Sequence, residues 1–522
     1  VPVALARGLL AAVILALTGA VLASPGLATA RPAGFAAGTR ARANHRTRSD
    51  VRARRHRPAI VVHIVQTASS LSQRMKRMPD MRMKPGRAQT PPILRVQGGL
   101  HYQRIRGFGA ALTDSSAWLI RHELAPAARN ELMRRLFSSH GIDLNYLRLP
   151  MGASDFTVDG KSYSYDDMPV GKSDPRLRHF SVAHDVQYII PTLRQALAIH
   201  PGIFVMASPW SAPGWMKTNQ RSDNFDNGGT LLPVDYGPLA AYFVRFLQAY
   251  RSHGIVVDAV TPQNEPVVAA DPGMQLSEPD EATFITQDLR VALAAARLST
   301  QIFGHDLSWD MLPWASALAT GPAGRYLSGI SWHCYFDSPT AMTQLHALAP
   351  RLIQLVNECS PEIRPFHTAE TLIGSLRNGA SAVALWNLAL DPAGGPVQQL
   401  GNGCPHCRNR CPRCRGVVTV DETSHRAYPG PTYYQLGQVS RFVARGAVRI
   451  GVNTFVTDGT DGRSFYEPTA GLDDVAFVNP SGEKVLVTYN NSPNPIRFAV
   501  SWHEHRLTYS QQAGAMTTFT WR

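Results

Sequence analysis

Residues 256–266 read VVDAVTPQNEP, a β-branched run that ends in Asn264 and Glu265 between prolines. A strand that gathers its polar residues at its carboxyl end, with helical sequence on both sides, fits a parallel sheet. The flanks have that character. PLAAYFVRFLQAY (238–250) and EATFITQDLRVALAAA (281–296) place apolar residues three and four apart. Short apolar runs recur along the chain: YLRLP (146–150), IFVMASPW (203–210), GISWHCYF (329–336), LIQLVNE (352–358) and AVALWNLAL (382–390). Strand followed by helix, repeated over residues 104–443, predicts an α/β fold, a (β/α)8 TIM barrel.

The pattern changes after the helical stretch TYYQLGQVSRFV (432–443). VAFVNPSGEKVLVTYNNSPNPIRFAVSW (475–502) and AMTTFTWR (515–522) are short strands punctuated by Asn, Gly and Pro. They predict an antiparallel β-sandwich side domain over 444–522. AIVVHIVQTA (59–68) and ILRVQG (93–98) are strand-like too. They are expected to join it, so that residues 58–103 and the C-terminal strands build one domain around an inserted barrel.

Composition, at 44% hydrophobic and 17% charged, is that of a folded chain. The net charge of +14 is carried by residues 1–87; the remainder has 36 basic and 36 acidic side chains. A neutral body behind a basic tail argues against nucleic acid as a partner. Residues 31–57 read as an Arg-rich linker, with an anionic cell surface as the contact they could make. Residues 1–30 have Arg7, an apolar run from Leu9 to Ala23, and Ala28-Thr29-Ala30 as a cleavage site. That is the pattern of a signal peptide, and the chain is expected to be secreted.

Six cysteines fit export. Cys404, Cys407, Cys411 and Cys414 form two C-x-x-C pairs only three residues apart, too close for a zinc ribbon, and are read as disulfide candidates. Cys334 and Cys359 are left unassigned.

Glu265, at the carboxyl end of a barrel strand, stands on the active-site face of such a barrel. Glycoside hydrolysis with retention needs a second carboxylate about 5–5.5 Å away. The stretch LVNECSPEIRPFHTAETLIGSL (355–376) offers three: Glu358, Glu362 and Glu370. Glu358 ends an apolar strand. Glu370 precedes Leu372, Ile373 and Leu376, whose helical spacing turns it away from a strand-end site. Glu362 sits in a proline-bounded loop.

GFGAALTDSSAWL (107–119), YLRLPMGASDF (146–156), ASPWSAPGWMKTN (207–219), TPQNEP (261–266), HCYFD (333–337) and WNLALDPAGGP (386–396) occur in that order. Together they resemble glycoside hydrolase family 30, the glucosylceramidase-like enzymes. The resemblance runs from about residue 59 to the C-terminus. It implies a barrel with a β-sandwich and a β-glycoside as substrate, cleaved by double displacement without metal or organic cofactor. Glu265 would be the acid/base and Glu358 the nucleophile. It further implies that Arg148 keeps the nucleophile ionised, that Asp114, Asp155 and Asn264 hydrogen-bond sugar hydroxyls, and that Trp210 and Trp386 offer apolar faces to the ring. Tyr335 would lie against the nucleophile, with His333 also in the site. The implied substrate is a β-glucoside of the glucosylceramidase type. A β-1,6-glucan or β-1,6-galactan on the same scaffold is the alternative, and a noncatalytic carbohydrate-binding protein is the reading from another class. The chain departs from the family pattern at Asn357, where Thr or Ser is usual, and at Leu307-Ser308. The loop from Glu358 to Trp386 is short, which should reshape the aglycone side.

Overall fold

A computed structural model of the chain describes residues 59–88, 92–158, 160–223, 228–267, 272–360, 368–396, 413–453 and 471–522. The signal and linker segments, Glu362, Cys404, Cys407 and Cys411 lie outside them. Eight parallel strands, labelled β1 to β8 here in chain order, close into a barrel. They are Gly107–Ala111, Tyr146–Pro150, Phe204–Ser208, Ala259–Val260, Gln301–Ser308, Gly329–His333, Ile353–Glu358 and Ala380–Leu385.

Period-two alternation decides which residues fill the barrel. Tyr146, Phe204, Met206, Ala259, Phe303, Leu355, Ala382 and Ala384 pack inside it. Leu147, Leu149, Val205 and Val356 face outward and join the larger core under the helices. β1 and β2 approach so closely that a Cβ on Gly109 would stand 1.6 Å from the Tyr146 carbonyl oxygen, which is why a glycine occupies that place.

Three barrel strands depart from their sequence reading: β1, in GFGAALTDSSAWL, is not among the strand-like runs. β4 is two residues long rather than the run from Val256, because the Asp258 carboxylate accepts the Val205 amide (2.8 Å) in place of a longer ladder. β5 lies in FGHDLSWD, a segment with no strand pattern; it buries His305 and Asp306 side by side, both at positive φ. The helical stretch after β4 contains a π turn at Phe284–Leu289.

The side domain is a ten-stranded antiparallel-dominated sheet into which the early strands Val61–Thr67, Lys76–Arg82 and Ile93–Arg104 are woven beside the C-terminal ones. Val62, Ile64, Leu94, Val96, Phe498 and Phe519 are among its core residues. Arg377, ending the helix before β8, bonds Asp474 of the side domain at 3.0 Å and fixes it to the barrel. Among the described residues no helix is long and apolar enough to cross a membrane.

Candidate active site

The carboxyl ends of β2, β4, β5, β6 and β7 bring Arg148, Glu265, Asp306, His333 and Glu358 together. A register shift puts His333 opposite Glu358 and leaves Asn357 as the extra residue of a bulge. Two successive side chains can thus work at one strand end. Asn357 Nδ2 donates to Asp306 Oδ1 (2.9 Å), while Glu358 turns to Arg148 and Tyr335.

Glu358 is held from two sides. Arg148 Nη1 donates to its Oε2, and the Tyr335 hydroxyl donates to its Oε1 at 2.8 Å. Burial pushes its carboxyl up; the cationic His333 and Arg148 pull it back toward the charged form. Asn264 Oδ1 accepts from Arg148 Nη2 at 2.6 Å, so the residue before Glu265 is tied to the same guanidinium.

Glu265 has φ +46°, a strained value for a glutamate, fixed by its amide donating to the Asp306 carbonyl at 3.2 Å. Its Oε1 faces His333 Nδ1 at 3.0 Å, and His333 Nε2 faces Asp306 Oδ1 at 3.2 Å. Burial alone would discharge His333, yet Glu358, Asp306 and Glu265 around it carry its pKa up to about 10. The imidazole is therefore a cation that donates from both nitrogens. Oxygens of Glu265 and Glu358 lie with His333 inside a 4.8 Å cluster that could geometrically hold a metal ion.

Asp306 is the residue that the motifs did not single out. It is fully buried and accepts six hydrogen bonds. Ser331, His333 and Asn357 reach Oδ1; Arg148, Ser208 and Thr261 reach Oδ2, all between 2.8 and 3.2 Å. Burial opposes its charge, but Arg148 and His333 hold its carboxyl well below the ordinary range. Arg148 and His333 each lie against both Asp306 and Glu358. The available signal is an Asp in the segment FGHDLSWD, weakened by the missing alternation.

The remaining candidates are distributed around this cluster. Asp155 is half-buried, with Oδ1 lacking any partner; burial, then Glu358 and Glu265, push its carboxyl well above the usual range. An orphaned polar atom beside both glutamates suits a ligand hydroxyl. Trp210 and Trp386 stack on one another at 5.1 Å, and Arg148 lies over both rings. At 2% and 4% exposed, they offer a ligand their rims and wall in the guanidinium. Asp114 is buried and its oxygens are taken by His184 Nε2, the Tyr188 hydroxyl and the Val158 amide. Of the other glutamates, Glu370 accepts from Asn491 of the side domain at 3.1 Å, away from the site.

A disulfide joins Cys334 and Cys359, with Cα atoms 5.2 Å apart. It ties the strand end carrying His333 and Tyr335 to the one carrying Glu358, a pairing that the sequence left unassigned. Cys414 is also disulfide-bonded.

Both domains of the chain match known proteins. Residues 105–443 match the glycosyl hydrolase family 30 TIM-barrel domain, and residues 446–519 match the family 30 beta sandwich domain. The chain is 32% identical over 438 residues to the endo-1,6-beta-D-glucanase neg1 of Aspergillus fumigatus, covering 81% of this chain and 85% of that protein. It is 30% identical over 468 residues to the lysosomal acid glucosylceramidase of Mus musculus, covering 84% of each. Among solved structures, SrfJ from Salmonella typhimurium superposes with a TM-score of 0.78 at 25% identity, over 88% of this chain and 99% of that one. The endo-beta1,6-glucanase BT3312 gives 0.73 at 26%, over the same shares. With both domain models matched in order and the two carboxylates meeting at the barrel mouth, the chain belongs to glycoside hydrolase family 30.

Proposed function

We propose that this glycoside hydrolase cleaves β-glucosidic bonds with retention of configuration, Glu358 acting as nucleophile and Glu265 as acid/base. The observation that carries the reading is the spacing: oxygens of the two carboxylates lie within 4.8 Å of each other. That suits direct attack on the anomeric carbon and leaves little room for the water that inverting enzymes place between their carboxyl groups. Arg148 and Tyr335 aim Glu358, and His333 occupies Oε1 of Glu265, leaving Oε2 to hand a proton to the departing oxygen. Water then cleaves the glycosyl-enzyme, with Glu265 taking its proton back from that water.

Three fungal relatives named as endo-1,6-beta-glucanases share 32% identity with this chain, which supports β-1,6-glucan as the first substrate to test. Glucosylceramide is the second, supported by the mouse relative. Export is supported by the signal-like residues 1–30 and by the buried disulfide.

Labelling with an activated 2-fluoro-β-glucoside followed by fragment sequencing tests the chemistry. Arg364-Pro365 resists trypsin, so Glu358 and Glu370 share a peptide and must be separated by fragmentation. Label on Glu358 is expected. Label on Glu370, or inversion seen by proton NMR of the first product, overturns the assignment.

A further inference from the structure

At the amino-terminal ends of the barrel strands, opposite the active site, a cavity of about 1330 Å³ lies between the barrel base and the side domain. Its charge is one-sided: seven arginines line it, with Asp258 as the single carboxylate among the described residues. Arg104, Arg251, Arg351 and Arg445 are exposed; Arg106 and Arg377 are half-buried and Arg449 is buried, where a guanidinium normally meets a carboxylate. Arg377 does, at Asp474.

Four of the others bond neutral groups. Arg104 Nη1 donates to the Gly446 carbonyl (2.8 Å), Arg445 Nη1 to that of Gly202 (2.7 Å), and Arg106 Nη1 to Gln301 Oε1 (2.9 Å). Arg351 donates to the Gly324 and Leu327 carbonyls. The Arg251 side chain, exposed on the rim, makes no hydrogen bond to the described residues. Burial and then the neighbouring Arg445 lower the pKa of Arg106, which marks the mutual repulsion of the group. Asp258 is the one opposing charge, and it raises the pKa of Arg106 by less than burial and Arg445 lower it.

We infer that this cavity binds an anion carrying several oxyanion groups, phosphates or carboxylates on a short oligomer, at a site separate from the glycosidase centre. Guanidinium forks pair with the oxygens of either group, and their carbonyl bonds orient the forks before the ligand arrives. The site is built from both domains: Arg104 closes the side-domain strand Ile93–Arg104, Arg106 leads into β1, and Arg445 lies between the domains. A bound anion therefore also bridges the junction.

Calorimetric titration of the full chain with sodium tripolyphosphate and with trigalacturonate, at low salt, tests this. The wild type should show saturable one-site binding of at least one of them, and the tighter one tells phosphate from carboxylate as the natural group. Arg251→Gln/Arg445→Gln should weaken that binding at least tenfold and leave hydrolysis of an aryl β-glucoside unchanged. Should the double variant not fold, Arg251→Gln alone, on an exposed side chain, should weaken binding at least threefold. Failure of both ligands to saturate at about 10 mM, near the weak limit of specific binding, overturns the inference. So does equal binding by wild type and variant, which would place the anions on the Arg-rich residues 31–57.

Discussion

Asp306→Asn puts the buried cluster to its hardest test. The side chain is isosteric but exchanges one of two acceptor oxygens for an NH2 donor. Arg148 keeps its proton at any working pH, so the amide oxygen must remain on the side of Arg148, Ser208 and Thr261. The NH2 then faces Ser331, Asn357 and His333. The Ser331 hydroxyl can rotate. Asn357 is held in place by the Tyr146 hydroxyl on its Oδ1. His333 is left to present a lone pair, and it does so by losing its proton.

The size of the effect follows from the 3.2 Å between His333 Nε2 and Asp306 Oδ1. At an effective dielectric of about 20, unit charges at that separation attract by about 5 kcal/mol, or between three and four pKa units. His333 should then titrate near about 6–7 instead of its value of about 10 in the wild type. A hydrogen bond to a charged group is worth about 1.5–3 kcal/mol, so kcat/KM should fall about ten- to hundredfold. The assays are the pH profile of kcat/KM on an aryl β-glucoside and the imidazole titration of ¹⁵N-histidine protein, assigned with His333→Asn. Linkage gives a further readout. In the wild type, the raised pKa of His333 contributes stability fully present below about 6.5 and lost as pH rises toward 10. The variant should lose that slope. An unchanged histidine titration, or kcat/KM within about threefold of wild type, refutes the reasoning.

Three further outcomes are expected. Glu265→Gln should lower kcat about 10²–10⁴-fold on a poor leaving group and far less on a dinitrophenyl glucoside, whose departure needs no proton; an equal loss on both would remove Glu265 from the acid role. Tyr335→Phe deletes the 2.8 Å bond to Glu358 and should cost about tenfold or more in kcat with little change in KM, measured by steady-state kinetics. Cys334→Ala/Cys359→Ala opens a crosslink spanning 25 residues. It should destabilise the fold by about 3–4 kcal/mol in guanidinium unfolding, and an unmoved midpoint would show that the buried bond constrains nothing.

The barrel and the side domain assembled from both ends of the chain were legible from residues alone, and the family from six ordered motifs. The elements are local patterns: alternation along YLRLP, an apolar run stopping at Glu358, helical spacing after Glu370. β5 escaped because its polar His305 and Asp306 are buried on successive positions, and only neighbouring strands make that tolerable. The same blindness hid Asp306, whose importance lies in six donors drawn from five segments of the chain. The motif resemblance brought Asp114 forward; it could not show that His184, Tyr188 and Val158 take up its oxygens. Nor could cysteine spacing pair Cys334 with Cys359, which are neighbours only because β6 and β7 lie side by side. Sequence determines what a segment does with its own periodicity. Which buried charges neutralise one another, which protons they hold and which arginines are left facing an empty cavity are decided by closure of the barrel, because those energies depend on distances between strands far apart in the chain.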